Sequence, residues 1–186
     1  ELYVFPKIEN PAVKMAASTL VFAVVICAAR LLLPGHSQRA AVNATLAGWV
    51  TLLPGYALFL YASVKAWVAM REKNTVEDAR RQLPTRLLDD GSYARVRHPM
   101  YAMFILANAG LGLAANARYG LVFSLLSLVL FVLNGIFEER ATLISLFGEE
   151  YRAYMRRVPA RFFTPLHAAL LALALGLNAA LVLLEW

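Results

Sequence analysis

The sequence predicts an all-α fold, that of a polytopic membrane protein with about five transmembrane helices. Two observations lead to this class. The 186 residues are 60% hydrophobic with a mean hydropathy of +0.58, well above the roughly half apolar content of an average soluble domain. The chain also contains five long apolar runs, and a membrane-spanning helix needs roughly 20 apolar residues. At this length we expect a single membrane domain.

Each apolar run predicts one helix. In chain order, the runs comprise residues 15–33, 41–69, 100–115, 119–137 and 168–184. The second run is longer than a bilayer requires and contains Pro54-Gly55, which predicts a kinked helix that projects from the membrane toward Arg71. The third run is short and closely followed by the fourth, so these two are expected to form a tight helical hairpin.

The rest of the chain is organised around these helices. We divide the single domain, 1–186, into N-terminal helices with a connector (1–84), a motif region (85–163) and a C-terminal transmembrane helix (164–186). Cys27 is the only cysteine and lies in the first run, which excludes an intrachain disulfide and a cysteine-based metal cluster. We therefore expect no metal site.

The distribution of positive charge predicts the orientation. If the N-terminus is inside, the inner segments are 1–14, 65–98 and 138–167, and they contain all but three of the 18 Lys and Arg residues. By the positive-inside rule, the N-terminus is cytosolic and the C-terminus lies on the opposite side of the membrane. We expect this membrane to be a prokaryotic inner membrane. The net charge of +6 is explained by contact with membrane lipids, and no nucleic-acid-binding signature accompanies it.

The first inner segment changes character at Gly91. Residues 71–91 have mixed charge and turn signals, which predict a solvated connector. In the stretch that follows, Pro99 occupies the expected first position of a helix, with His98 at its N-cap. The first turn then presents free backbone N–H groups, which form an anion site together with Arg95 and Arg97. The alternative is that these residues contact lipid phosphate and cap the helix, with Tyr101 in the interfacial aromatic belt.

The second inner segment begins with two adjacent carboxylates, Glu138 and Glu139. Carboxylates oppose the dipole at a helix C-terminus, and no helix breaker follows them, so the helix is expected to continue to Gly148. Both groups would then lie at the depth of the membrane surface, where ionised side chains usually have a partner or a ligand.

The stretch after Gly148 reads as a basic amphipathic helix that lies on the membrane, with Tyr151 on its apolar face. Its arginines are expected to serve solvation and lipid contact. They are Arg152, Arg156 and Arg157.

Three motifs in this order resemble the isoprenylcysteine carboxyl methyltransferase and phospholipid methyltransferase superfamily. They are Gly91-x-Tyr93-x3-Arg97-His98-Pro99-x-Tyr101, then Glu138-Glu139, then Phe147-Gly148-x2-Tyr151-x2-Tyr154 with Val158-Pro159. The resemblance covers residues 85–163. The apolar run 168–184 after the motifs departs from the eukaryotic prenylcysteine enzymes, so a prenylated-protein substrate does not follow from it.

The resemblance implies an integral membrane enzyme that uses S-adenosylmethionine and holds it on the cytosolic face. It also implies a set of cofactor-binding residues. From the sequence itself we add that the N-terminus of the helix at Pro99 is the expected binding site for the carboxylate of the cofactor. The expected set is Arg97, His98, Pro99, Tyr101, Glu138, Glu139 and Tyr151.

The methyl acceptor is expected to be a lipophilic or membrane-bound small molecule. If it is a carboxylate, Arg140 or Arg161 can orient it, whereas an amine or a thiol needs a base, for which His98 or a glutamate is available. Two other classes are compatible with the sequence: an NADPH-dependent membrane reductase of the sterol or steroid type, and a non-catalytic membrane scaffold or small transporter.

Overall fold

The computed structural model describes residues 46–76, 83–115 and 118–184, and the regular elements in these ranges are all helical. The α-helices are α1 (Leu46–Asn74), α2 (Pro99–Ala115), α3 (Arg118–Glu138), α4 (Ile144–Arg157) and α5 (Pro165–Leu184). A short 3-10 helix, Gly91–Ala94, precedes α2, and a π-helical turn, Glu139–Leu143, joins α3 to α4. The first predicted run, 15–33, and Cys27 lie outside the described residues.

Four of the predicted runs correspond to helices α1, α2, α3 and α5, which confirms the all-α polytopic class. Within the described ranges, three helical stretches are long and apolar enough to cross a membrane: Thr51–Asn74, Gly120–Arg157 and Pro165–Leu183. The shorter α2 is equally apolar in character. As predicted, α1 extends past Arg71, and it continues through Pro54 as one helix.

Helices α1 and α2 pack closely because glycines face each other. A Cβ atom on Gly55 would lie 2.5 Å from the backbone nitrogen of Ala114, and one on Gly110 would lie 2.6 Å from the carbonyl oxygen of Gly55. Small residues at such contacts let two helix backbones approach in a membrane, where packing rather than the hydrophobic effect drives association. The buried side chains around this contact are also small or apolar, including Phe59 and Ala62.

The hairpin of α2 and α3 is joined by polar contacts in addition to apolar packing. The side-chain amide of Asn108 donates to the hydroxyl of Ser127 over 2.6 Å, and the hydroxyl of Ser124 donates to the Asn108 carbonyl over 3.2 Å. Such bonds satisfy polar groups that hydrocarbon cannot solvate. Together with the packing of α1 and α5 against α2, they bring the end of α1, the start of α2 and the end of α3 to one end of the bundle, here termed the basic end.

The polar segments differ from the prediction in two respects. Most of the described connector residues are exposed or half-buried, as predicted, but Val76 is buried and Leu87 packs against the tyrosines of α4. Likewise, the apolar face of α4 contacts protein, since Tyr151 and Tyr154 are each at most 2% exposed. The helix does continue from α3 to Gly148, as predicted, and Gly148 then forms a kink with φ of +52°, a conformation that glycine adopts without strain.

Candidate active site

The candidate site lies at the basic end, where the segment before α2 runs beside the segment that follows α4. The backbone N–H of Arg97 donates to the carbonyl of Ala160 over 3.0 Å, and that of His98 donates to the carbonyl of Arg161 over 2.8 Å. Helix α2 begins at Pro99, as predicted. The His98 carbonyl accepts the first helical hydrogen bond, from Ala102. This pairing fixes His98 at the N-cap and holds the two motif segments together.

A buried ion network joins these segments to the end of α3. Arg97 donates through Nε to Glu139 over 2.8 Å, and through Nη1 to the carbonyls of Val158 and Pro159. The side chains of Arg97 and Glu139 are only 7% and 3% exposed. Arg161 Nε lies 3.0 Å from the second Glu139 oxygen without hydrogen-bond alignment. Several groups compensate the Glu139 charge, so this carboxylate does not need to open to solvent. The network therefore stabilises the arrangement of the segments around the site.

The His98 imidazole lies between two aromatic rings and two carboxylates. Its ring stacks on Tyr101 at 5.6 Å between centroids and on Phe162 at 5.4 Å. Nε2 lies 3.1 Å from Glu139 Oε1, while Nδ1 lies 3.7 Å from Glu138 Oε2. The shorter contact favours a proton on Nε2, and a second proton on Nδ1 would face Glu138.

Gly135 makes room for this ring stack. A Cβ atom at this position would lie 2.7 Å from the Phe162 ring and 3.4 Å from the His98 ring. The absence of a side chain on this face of α3 therefore lets Phe162 press against His98. Stacked rings of this kind hold an imidazole in one orientation beyond what burial alone achieves.

The two adjacent glutamates lie where α3 passes into the π-helical turn. In it, the backbone N–H of Ile144 donates to the carbonyl of Glu139, five residues earlier. Glu139 turns into the buried network, whereas Glu138 is 22% exposed and lines a cavity. Single π-helical turns inside α-helices are frequent at functional sites, because they redirect side chains.

The cavity is open to solvent at the basic end, and the empty space in it, counted together with the solvent at its mouth, is about 530 Å³. Its wall consists mainly of apolar and aromatic side chains from α2, α4, the π-helical turn and the connector, including Pro84, Leu88, Met100, Leu143 and Phe147. The polar side chains on the wall are Lys73, Arg86, Tyr93, Arg97, His98, Tyr101, Glu138, Tyr151 and Tyr154. A concave, mostly apolar site with a few converging polar groups is typical of small-molecule binding.

Hydrogen bonds to the backbone at Tyr93 and at its neighbour hold Tyr93 in the cavity wall. The Tyr154 hydroxyl donates to the Tyr93 carbonyl over 2.7 Å, and the neighbouring Ser92 N–H donates to Glu72 over 3.0 Å. Burial, together with the negative charge of Glu138, raises the pKa of the Tyr93 phenol well above its ordinary value. Tyr93 is therefore a neutral, aromatic part of the wall at physiological pH.

Comparison with known families shows which family the chain belongs to. A family model described as phospholipid methyltransferase matches residues 49–150, more than half of the chain. The chain belongs to the phospholipid methyltransferase family. The motif resemblance found in the sequence is thereby confirmed, and the match runs from α1 through the kink at Gly148.

A curated relative of this phospholipid methyltransferase family member is the protein-S-isoprenylcysteine O-methyltransferase of Schizosaccharomyces pombe. The two are 42% identical over 74 residues, which are 39% of this chain and 31% of the yeast protein. The chain thus matches less than a third of that relative's length. No solved structure matches this chain.

The structure brings most of the predicted site residues of this family member together. Arg97, His98, Tyr101, Glu138 and Tyr151 line the cavity, Pro99 starts α2 beside it, and Glu139 lies behind it in the network. The two arginines predicted to orient an acceptor differ: Arg161 is paired with Glu139 and 39% exposed, whereas Arg140 is exposed on the π-helical turn and does not line the cavity.

Three contributors to the site have little or no signal in the sequence. Lys73 lies beyond the end of the predicted second run, and Phe162 follows the last motif, so neither position carries a signal. The third contributor is a group of connector residues, among them Pro84 and Leu88, whose mixed-charge neighbours dominate the pattern and predict a solvated segment. The apolar pair Leu87-Leu88 was the one available sign that part of this connector is buried.

Proposed function

We propose that this protein is an integral membrane enzyme that transfers a methyl group from S-adenosylmethionine to a lipophilic or membrane-associated acceptor. The observation that carries the proposal is the cavity at the basic end, where Glu138, Tyr93 and Tyr101 meet the N-terminus of α2. The membership of the phospholipid methyltransferase family supports the reaction class. The basic end is then the cytosolic one, as the positive charge distribution predicts.

The donor set of the cavity fits S-adenosylmethionine part by part. The Glu138 carboxylate is an acceptor for ribose hydroxyls or for the α-ammonium group. The apolar wall, with Tyr93, suits the adenine ring. Backbone N–H groups of Met100 and Tyr101 at the start of α2 suit the α-carboxylate.

When bound, S-adenosylmethionine supplies an electrophilic methyl group on a sulfonium, and displacement at that carbon depends mainly on proximity and alignment. The protein therefore needs no covalent nucleophile. Its residues hold the reactants and exclude water. Leu88, Met100 and Leu143 provide apolar surface around the site, and His98, fixed by its ring stack and by Glu139, is positioned to receive a proton from an amine or thiol acceptor.

A lipophilic acceptor suits the outer surface of α3 and α5. Leu130 and Leu133 on α3, and Leu173 on α5, are more than half exposed, as expected for surfaces that contact lipid tails. Both helices lead toward Arg161, whose Nε is held by Glu139 while its side chain remains 39% exposed. An arginine so oriented can bind a carboxylate with its remaining N–H groups. We propose Arg161 for this role, with the exposed Arg140 as the second candidate.

Ligand-dependent stability tests this function. Purified wild-type protein in detergent is heated with S-adenosylhomocysteine, the product form of the donor, or with NADPH. A ligand that binds only the folded state adds about 2.7 kcal/mol at 100 times its Kd, so S-adenosylhomocysteine should raise the unfolding temperature and NADPH should not. Glu138→Gln should weaken the S-adenosylhomocysteine effect, whereas Glu150→Gln, an exposed acid outside the cavity wall, should leave it unchanged. A shift with NADPH alone would identify the reductase class instead.

A further inference from the structure

Lys73 reaches the cavity from the last turn of α1. Its Nζ donates to Glu138 Oε1 over 2.9 Å, and the two side chains are 25% and 22% exposed. Nζ also lies 6.0 Å from the centre of the Tyr101 ring. Both members of the ion pair belong to the cavity wall. Lys73 and Glu138, which are 65 residues apart in the chain, thus present opposite charges to the same cavity.

The other cations on the cavity wall are differently placed. Arg97 uses Nε and Nη1 in bonds to Glu139 and to two carbonyls, so it is committed to the buried network. Arg86 lies on the exposed connector. The Lys73 ammonium has three protons, and its bond to Glu138 uses one of them. Lys73 is therefore the cation that can bind an anion next to Glu138 while keeping its present partner.

An ion pair of this kind is complementary to a zwitterion. The free amino-acid end of a ligand carries an α-carboxylate and an α-ammonium a few ångströms apart. The carboxylate can accept from Lys73, and the ammonium can donate to Glu138. Four alternating charges then compensate each other, so no uncompensated charge enters the cavity. Met100 and Tyr101, at the N-terminus of α2, face the same space, and the positive helix end favours the carboxylate as well.

We propose that Lys73 is a binding residue for the methyl donor, and that the Lys73–Glu138 pair holds the zwitterionic amino-acid end of that ligand. The inference rests on the proposed function. It adds a residue outside the three sequence motifs, and it assigns the orientation of the ligand: the amino-acid end lies toward α1 and the start of α2, so the adenosine part lies toward α4 and the connector.

The test compares two ligands that differ only in the α-carboxylate: S-adenosylhomocysteine and its decarboxylated analogue, S-adenosyl-3-thiopropylamine. Their Kd values are measured by calorimetry on the full-length wild type, Lys73→Met and Lys73→Arg. The wild type should bind S-adenosylhomocysteine about tenfold more tightly than the analogue, as expected for a hydrogen bond between charged groups. Lys73→Met should abolish this preference by weakening S-adenosylhomocysteine alone, and Lys73→Arg should retain part of it.

Lys65→Met is the matched control, because Lys65 is an exposed lysine on the same helix and does not line the cavity. It should leave both Kd values unchanged. Analogue binding to Lys73→Met also reports whether the cavity is intact. A wild type without preference for the carboxylate, or a Lys73→Met variant that keeps the preference or loses both ligands equally, overturns the assignment of Lys73. If the folded wild type binds neither ligand, the proposed function itself fails.

Discussion

Glu139→Ala is expected to lower the free energy of unfolding by about 3 kcal/mol or more. The substitution removes the carboxylate that Arg97 contacts at 2.8 Å and that Arg161 approaches at 3.0 Å. Arg97 would remain buried with only carbonyl partners, and an uncompensated buried charge is among the most destabilising changes a protein can undergo. Thermal unfolding in detergent, followed by circular dichroism, measures the effect.

The same substitution should also weaken the binding of S-adenosylhomocysteine, because Glu139 fixes the His98 ring that lines the cavity. Glu139→Gln keeps an acceptor oxygen, so its stability and its affinity for S-adenosylhomocysteine should lie between those of the wild type and those of Glu139→Ala. The matched control is Glu149→Ala, since Glu149 pairs with Arg152 and Arg156 on the protein surface, where ion pairs contribute little to stability. Equal stability losses for Glu139→Ala and Glu149→Ala would contradict the role of the buried network.

Gly55→Ala is expected to destabilise the protein by about 1–3 kcal/mol, the usual effect of overpacking. The added Cβ would lie 2.5 Å from the Ala114 nitrogen and 2.7 Å from the Gly110 carbonyl oxygen. Both obstacles are backbone atoms, which cannot rotate away, so α1 and α2 must separate. Because the cavity includes residues of both helices, Lys73 and Met100 among them, the separation should also weaken ligand binding.

Gly176→Ala is the control for this substitution. Gly176 lies in α5, and a Cβ atom there has no neighbour within 4 Å. Alanine also has the higher helix propensity, so Gly176→Ala should leave the unfolding temperature unchanged or raise it slightly. The comparison is made by thermal unfolding in the same detergent. If both alanine variants are equally stable, the close contact between α1 and α2 does not contribute to the stability of the protein in the way proposed.

Features that local chemistry determines could be predicted from the sequence. Proline lacks the N–H that a first-turn position does not need, so Pro99 predicted the start of α2 within a single residue. Similarly, the lack of a breaker after Glu139 predicted the long continuation toward Gly148. Hydropathy alone located α1, α2, α3 and α5, because a bilayer requires long apolar segments, whereas α4 was predicted from its amphipathic pattern.

Features that depend on distant contacts could not be predicted in this way. The partner of Glu138 is Lys73, which lies 65 residues earlier, and nothing in the sequence distinguishes Lys73 from the other lysines. The π-helical turn Glu139–Leu143 has no sequence signature. Phe162 acquires its position only through the space that Gly135 leaves on α3.

A crystal structure of the wild-type protein grown in lipid with S-adenosylhomocysteine tests most directly whether the cavity at the basic end holds the methyl donor. We predict ligand density inside the cavity, with the amino-acid end at Lys73 and Glu138 and the adenosine part toward Tyr93 and the connector. Density for the ligand at any other place on the protein, with this cavity filled only by solvent, would contradict the account.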